Sequence, residues 1–101
     1  MIRIKVLEKD NIIKSLSIKG HAEYAEYGKD IVCAAVSATY LCTLNAILCI
    51  EPSSIQILSD NNIEVINYNE ITNKLLQNMV KCLIDLERQY PKNIKINKEE
   101  K

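Results

Sequence analysis

The chain opens on strict alternation, with Ile2, Ile4 and Val6 separated by Arg3 and Lys5. A period of two puts the three apolar residues on one face of a half-buried strand. The polar cluster Glu8-Lys9-Asp10-Asn11 predicts a turn, and Ile12 to Lys19 a returning strand. From Gly20 to Lys29 neither period holds. That stretch contains both glycines of the chain, its only histidine and two of its five tyrosines. It reads as a loop, longer than most connections in a compact domain, and long ordered loops tend to carry function.

Asp30 is a favoured N-cap residue for a helix that runs to about Ile50, where Pro52 ends it. This segment, IVCAAVSATYLCTLNAILCI, is apolar on nearly every face, which predicts deep burial. Ile55 and Ile57 begin a third strand, Asp60-Asn61-Asn62 makes a tight turn, and Ile63, Val65 and Ile66 form a fourth. Asn69 caps a second helix whose Ile71, Leu75, Met79, Leu83 and Leu86 recur at helical spacing. Tyr90-Pro91 stops it, and Ile94 and Ile96 predict a last short strand before a charged tail. The order is ββαββαβ. It implies a single α+β domain over residues 1–101, a largely antiparallel sheet with two helices on it.

Composition narrows the function classes. At 101 residues the chain supports one core. Lys+Arg and Asp+Glu both number 13, so the basic surplus that phosphate neutralisation demands of a nucleic-acid binder is missing. Ile31 to Ile50 is long enough to cross a bilayer, but Ser37, Thr39, Thr43 and Asn45 interrupt it and charges flank it. A buried helix is the expectation, without membrane association. The first residues lack the continuous apolar stretch of a signal peptide, so a cytoplasmic location with reduced thiols is expected. Cysteines seven apart on one helix stand roughly 10 Å apart along its axis, too far for a disulfide. With no C-x-x-C pair and one histidine, no metal or other cofactor is expected. Cys42, Cys49 and Cys82 read as core fillers.

Cys33 is different. With Asp30 as N-cap it falls in the first helical turn, where a thiolate meets unpaired amides and the positive end of the macrodipole. The dipole contributes only about 0.3–1 kcal/mol, so a second activator is needed. An imidazole is the usual one, and His21 lies twelve residues upstream on the loop that leads into the helix. Ser37 follows Cys33 by four residues and shares its face. Amides of the first turn are candidates to hold an oxyanion. On residue chemistry alone the bland reading leads: a thiol and a histidine in one small domain are common by chance, and a capping aspartate is usually only a cap.

The run GHAEYAEYGKDIVCAAVSA, nineteen residues from Gly20 to Ala38, resembles the signature of the ribosomal-processing cysteine protease (Prp) family, in which GHA and a short loop precede G-x-DIVCAAVSA. The closing Y-P-x-x-I-x-I, here Tyr90 to Ile96, is similar as well. Glu23 and Cys82 depart from the pattern, since a small residue and a glycine are frequent there. The resemblance reverses the prior. It implies that Cys33 is the nucleophile and His21 its general base in a dyad, with Asp30, Ser37, Gly20 and Gly28 in support. It implies a homodimer with a loop, residues 22–29, that orders on substrate. The implied substrate is ribosomal protein number twenty-seven of the large subunit, whose N-terminal extension is cut after an aromatic-apolar stretch; such a substrate needs an apolar subsite, for which Tyr24, Tyr27 and Tyr40 are candidates. The alternative is a non-catalytic dimeric ribosome-biogenesis or peptide-binding module. Redox sensing through Cys33 is disfavoured, as no resolving cysteine lies nearby in sequence.

Overall fold

The computed structural model describes residues 1–26, 29–59 and 61–100. Strands β1 (Ile2–Lys9) and β2 (Ile12–Lys19) form an antiparallel hairpin. Its turn is only Asp10-Asn11, both at positive φ (52° and 64°), the conformation that a two-residue hairpin of right-handed twist requires. Glu8 and Lys9, expected in the turn, therefore stay in the strand, beyond a register shift after Leu7. Helix α1 (Ile31–Ile50) leads through a 3₁₀ turn at Pro52–Ser54 into β3 (Ile55–Ser59) and β4 (Asn62–Val65). Helix α2 (Glu70–Gln89) and β5 (Ile94–Glu100) complete the chain.

The five strands make one sheet in the order β3-β4-β2-β1-β5. All neighbouring pairs are antiparallel except β1 and β5, which run parallel from Ile2 beside Ile94 to Glu8 beside Glu100. The charged residues expected to trail beyond β5 are part of it. Buried residues of all five strands and both helices join one cluster that includes Ile4, Val6, Leu16, Ile63, Ile94, Val36, Leu76 and Leu83. Arg3, Lys5, Lys19 and Glu64, at alternating positions, remain exposed. The result is the expected α+β fold, with one sheet face covered and the other polar.

Helix α2 buries Thr72, Leu76, Met79, Val80 and Leu83, capped by Asn69 accepting from the Thr72 amide. Ile71 lies outside this stripe and is half exposed. The buried Thr72 hydroxyl meets Ser54 Oγ at 2.7 Å, and Ser54 Oγ also donates to the Glu51 carbonyl at 2.7 Å.

Helix α1 departs from expectation. Only Val32, Val36, Tyr40, Leu44 and Ile47 are buried, while Ala34, Ala38, Leu41, Cys42, Leu48 and Cys49 form an exposed stripe. A two-layer fold covers a helix on one side only, so an apolar sequence does not by itself bury the other. Cys42, Cys49 and Cys82 are likewise exposed thiols and not core fillers.

Candidate active site

β2 delivers the chain to Gly20, whose φ of +87° lets it turn sharply away from the sheet. A Cβ there would stand 2.4 Å from the Met1 carbonyl oxygen, so the close approach also requires glycine. His21 follows, exposed, and then Ala22, buried. The Ala22 N–H donates to Cys33 Sγ at 3.2 Å across eleven residues of sequence. Cys33 itself is half-buried in the first turn of α1, as the N-cap assignment requires.

Asp30 does more than cap. Its Oδ1 accepts from the amides of Val32 (3.0 Å) and Cys33 (2.9 Å), while Oδ2 accepts from Tyr24 (3.0 Å) and Ala25 (3.4 Å). One carboxylate thus ties the loop to the head of α1. The Cys33 amide foremost, with those of Tyr24, Ala25 and Val32, holds the Asp30 carboxyl below its ordinary value of 3.8 against the opposing pull of desolvation. The amides of Val32 and Cys33 are therefore occupied by the cap. The expectation that first-turn amides receive an oxyanion fails for these two.

A cleft of about 710 Å³ opens over Sγ, lined by Gly20, His21, Asp30, Cys33, Ser37 and Asn61 together with apolar Ile2, Ile18 and Val36. Of the residues singled out by sequence, His21, Cys33, Asp30, Ser37 and Gly20 are brought together there. Gly28 and Tyr27 lie outside the described residues. Among the described residues, no hydrogen bond joins the imidazole to the thiol; the sulfur's partner is the Ala22 amide. Because that amide belongs to the peptide linking residues 21 and 22, it puts the His21 Cα within roughly 6 Å of the sulfur. A histidine side chain is long enough to span such a gap. Apo enzymes often show loose catalytic contacts of this kind.

Tyr24 is half exposed and packs edge-to-face on Tyr90, centroids 5.5 Å apart. Tyr40 is buried, its hydroxyl pushed up by desolvation, and with Leu41 and Asn61 it borders a small extension of about 70 Å³ beside Ser37. Sequence reasoning missed Asn61 as a wall of the cleft and missed the Ala22 amide. Neither carries a signal in one dimension.

The family model of the cysteine protease Prp matches residues 1–95. The chain belongs to that family. It is 32% identical over 104 residues to the ribosomal processing cysteine protease Prp of Staphylococcus aureus strain Mu50, covering 96% of this chain and 98% of that one. Against the Bacillus subtilis protein of the same description it is 30% identical over 98 residues, 86% of this chain and 87% of the other. Its fold superposes on the crystal structure of an essential ribosomal processing protease Prp from S. aureus with a covalently linked product peptide, at a TM-score of 0.89 and 30% identity, covering 98% of this chain and 100% of that one. As a Prp family member the chain is a cysteine protease with the family's α+β fold.

Proposed function

We propose that this cysteine protease removes the N-terminal extension of ribosomal protein number twenty-seven during maturation of the large subunit, in the cytoplasm and as a homodimer, with Cys33 as nucleophile and His21 as base. The observation that carries the dyad is the Ala22 amide on Cys33 Sγ, which brings the histidine's own peptide to the only thiol lining the described cleft. A product peptide covalently linked to the S. aureus relative is what a thiol nucleophile leads one to expect of the family. In this reading His21 takes the Cys33 proton and the thiolate attacks the scissile carbonyl. The imidazolium returns that proton to the leaving amine, leaving a thioester. His21 then deprotonates water, which displaces the thiolate and releases the carboxylate.

Exposed Ala25 and Ala34, with the edges of Ile2, Ile18 and Val36, give the cleft an apolar lining suited to an aromatic-apolar segment. The supporting residues divide the remaining work. Asp30 fastens the loop to α1, Gly20 permits the turn into His21, and Ser37 lies exposed on the cleft wall one helical turn beyond the sulfur. The homodimer is supported by the exposed stripe of α1 with Ile57, Leu58, Ile66 and Tyr68 nearby in sequence or on β3, all about half exposed or more. So much apolar surface is unusual on a monomer.

The test is a mass measurement on the host's own full-length ribosomal protein number twenty-seven, incubated with the wild-type chain, with Cys33→Ala and with His21→Ala. Loss of an N-terminal peptide in the wild-type reaction only is the expected result. Cleavage surviving in Cys33→Ala would refute the dyad. An intact substrate in every reaction, given one that carries the extension, would refute the assigned substrate and favour a binding role.

A further inference from the structure

The Ala22 peptide is held on two sides, by Cys33 Sγ at its N–H and by α2–β5 turn residue Asn93 at its carbonyl. Ala22 is buried, so its peptide groups have no water to turn to. Its N–H is on the sulfur; its carbonyl accepts from the side-chain amide of Asn93 at 2.9 Å, across seventy-one residues of sequence. Asn93 belongs to the tight turn between α2 and β5. Its own N–H donates to the Tyr90 carbonyl at 3.0 Å, and its carbonyl accepts from the Ile2 N–H at 2.8 Å. Tyr90, at the head of the same turn, packs edge-to-face on Tyr24 and so touches the loop a second time. Both backbone groups of Asn93 are committed to the sheet and the turn, which leaves the side chain a fixed arm pointing at Ala22.

From this arrangement we infer that Asn93 is a positioning residue for the nucleophile: it holds the Ala22 peptide so that its N–H points at Cys33 Sγ and stabilises the thiolate. The inference rests on Cys33 being the nucleophile for its meaning in catalysis, but its test reads the thiol directly. The need for such a device follows from the cap. Asp30 occupies the Val32 and Cys33 amides, so the first turn of α1 has fewer free donors for a thiolate, and places a carboxylate beside them. The Ala22 amide is the donor that the structure does aim at the sulfur. A hydrogen bond to a charged acceptor is stronger than one to a neutral acceptor, so this contact favours the thiolate over the thiol.

The experiment compares Asn93→Leu, with the same branching but no donor, with Asn93→His, whose ring N–H can stand near the position of the lost amide. Iodoacetamide alkylation at neutral pH is followed at each cysteine by peptide mass spectrometry, with exposed Cys82 on α2 as the internal reference. Asn93→Leu is expected to slow labelling of Cys33 by about tenfold relative to Cys82, the scale of one charge-assisted hydrogen bond. Asn93→His is expected to recover part of that loss. In the cleavage assay kcat should fall with KM little changed, since Asn93 does not line the cleft. Labelling of Cys33 at the wild-type ratio in Asn93→Leu would overturn the inference. So would faster labelling of both cysteines with no recovery in Asn93→His, which would make Asn93 a turn residue and nothing more. Were Cys33→Ala to go on cleaving substrate, the dyad would fall while the labelling ratio still decided whether Asn93 governs the thiol.

Discussion

Gly20→Ala tests the hinge between the sheet and the loop that meets Cys33. Two costs add. An L-residue at a φ of +87° pays for a left-handed backbone, about 1–2 kcal/mol. The new methyl would also lie 2.4 Å from the Met1 carbonyl oxygen, a backbone atom that no side-chain rotation can move aside. Met1 must therefore shift outward, which weakens the adjoining Ile2 N–H to Asn93 carbonyl bond, worth about 0.5–1.5 kcal/mol net. The stiffer unfolded chain gives back about 0.4–1 kcal/mol. The net is a loss of about 2 kcal/mol, or a fall in Tm of about 10 °C for a domain of this size. Thermal unfolding followed by circular dichroism reads the stability, and cleavage of the proposed ribosomal substrate reads the site. Activity should fall further than the folded fraction explains, because the displaced Met1–Ile2 peptide donates through the Ile2 N–H to the Asn93 carbonyl, and the Asn93 side chain donates to the Ala22 carbonyl. A Tm within about 2 °C of wild type would refute the argument that conformation and close approach require glycine here.

Two further predictions follow from the same geometry. The Asp30 carboxyl is held below 3.8, so the unfolded chain binds its proton more readily than the folded one, and this group's contribution to stability is present above 3.8 and lost as pH falls through the lower folded value. Protection of the Tyr24 and Ala25 amides, taken against their intrinsic exchange rates, should fall across that acid range in the wild type, whereas Asp30→Asn should lack that protection already at neutral pH; identical protection in the two proteins at neutral pH would remove Asp30 as the tie. Leu48→Glu places a charge on the exposed stripe of α1 and, if that stripe meets a second copy, should shift sedimentation toward the monomer mass at micromolar protein; an unchanged mass would move the interface elsewhere.

Most of the fold was legible because local rules and the global fold agree. Alternation of two at Ile2, Ile4 and Val6, asparagine and aspartate caps at Asn69 and Asp30, and the proline stops at Pro52 and Pro91 each mark an element the structure contains. The errors at element edges have physical causes. Glu8 and Lys9 read as turn by composition, but a two-residue turn at Asp10-Asn11 suffices, and the strand continues to meet β5. Glu99 and Glu100 read as a tail, yet pairing with β1 is a backbone matter to which side-chain charge is indifferent at an edge strand. At the site, spacing along one helix placed Cys33 and Ser37, the need for a base pointed to the chain's one histidine, His21, and motif likeness raised that pair above chance. The ties that organise them, Asn93 to Ala22 and Asp30 to Tyr24, join loop backbone to side chain, and a backbone amide leaves no trace in residue identity.

The misjudged burial of α1 has a different origin, and it bears on function. Hydrophobic pattern reports how much of a helix must leave water, not what covers it. Val32, Val36, Tyr40, Leu44 and Ile47 are covered by the chain's own sheet and α2. Leu41 and Ile50, each about half exposed at 51% and 52%, carry the same one-dimensional signal without that cover. A sequence under pressure only to fold would place polar residues on the outer stripe, as α2 does with Lys74, Gln77, Asn78, Lys81 and Asp85. The contrast between two helices of equal length in one small domain is the argument that α1 answers to a second surface. Because the same helix carries Cys33 in its first turn and Ser37 in its second, whatever covers its outer stripe also borders the cleft. Dimerisation through α1 would then restrict access to Cys33 from that side and leave the wall formed by Ile18 and Asn61 as the approach for an extended peptide.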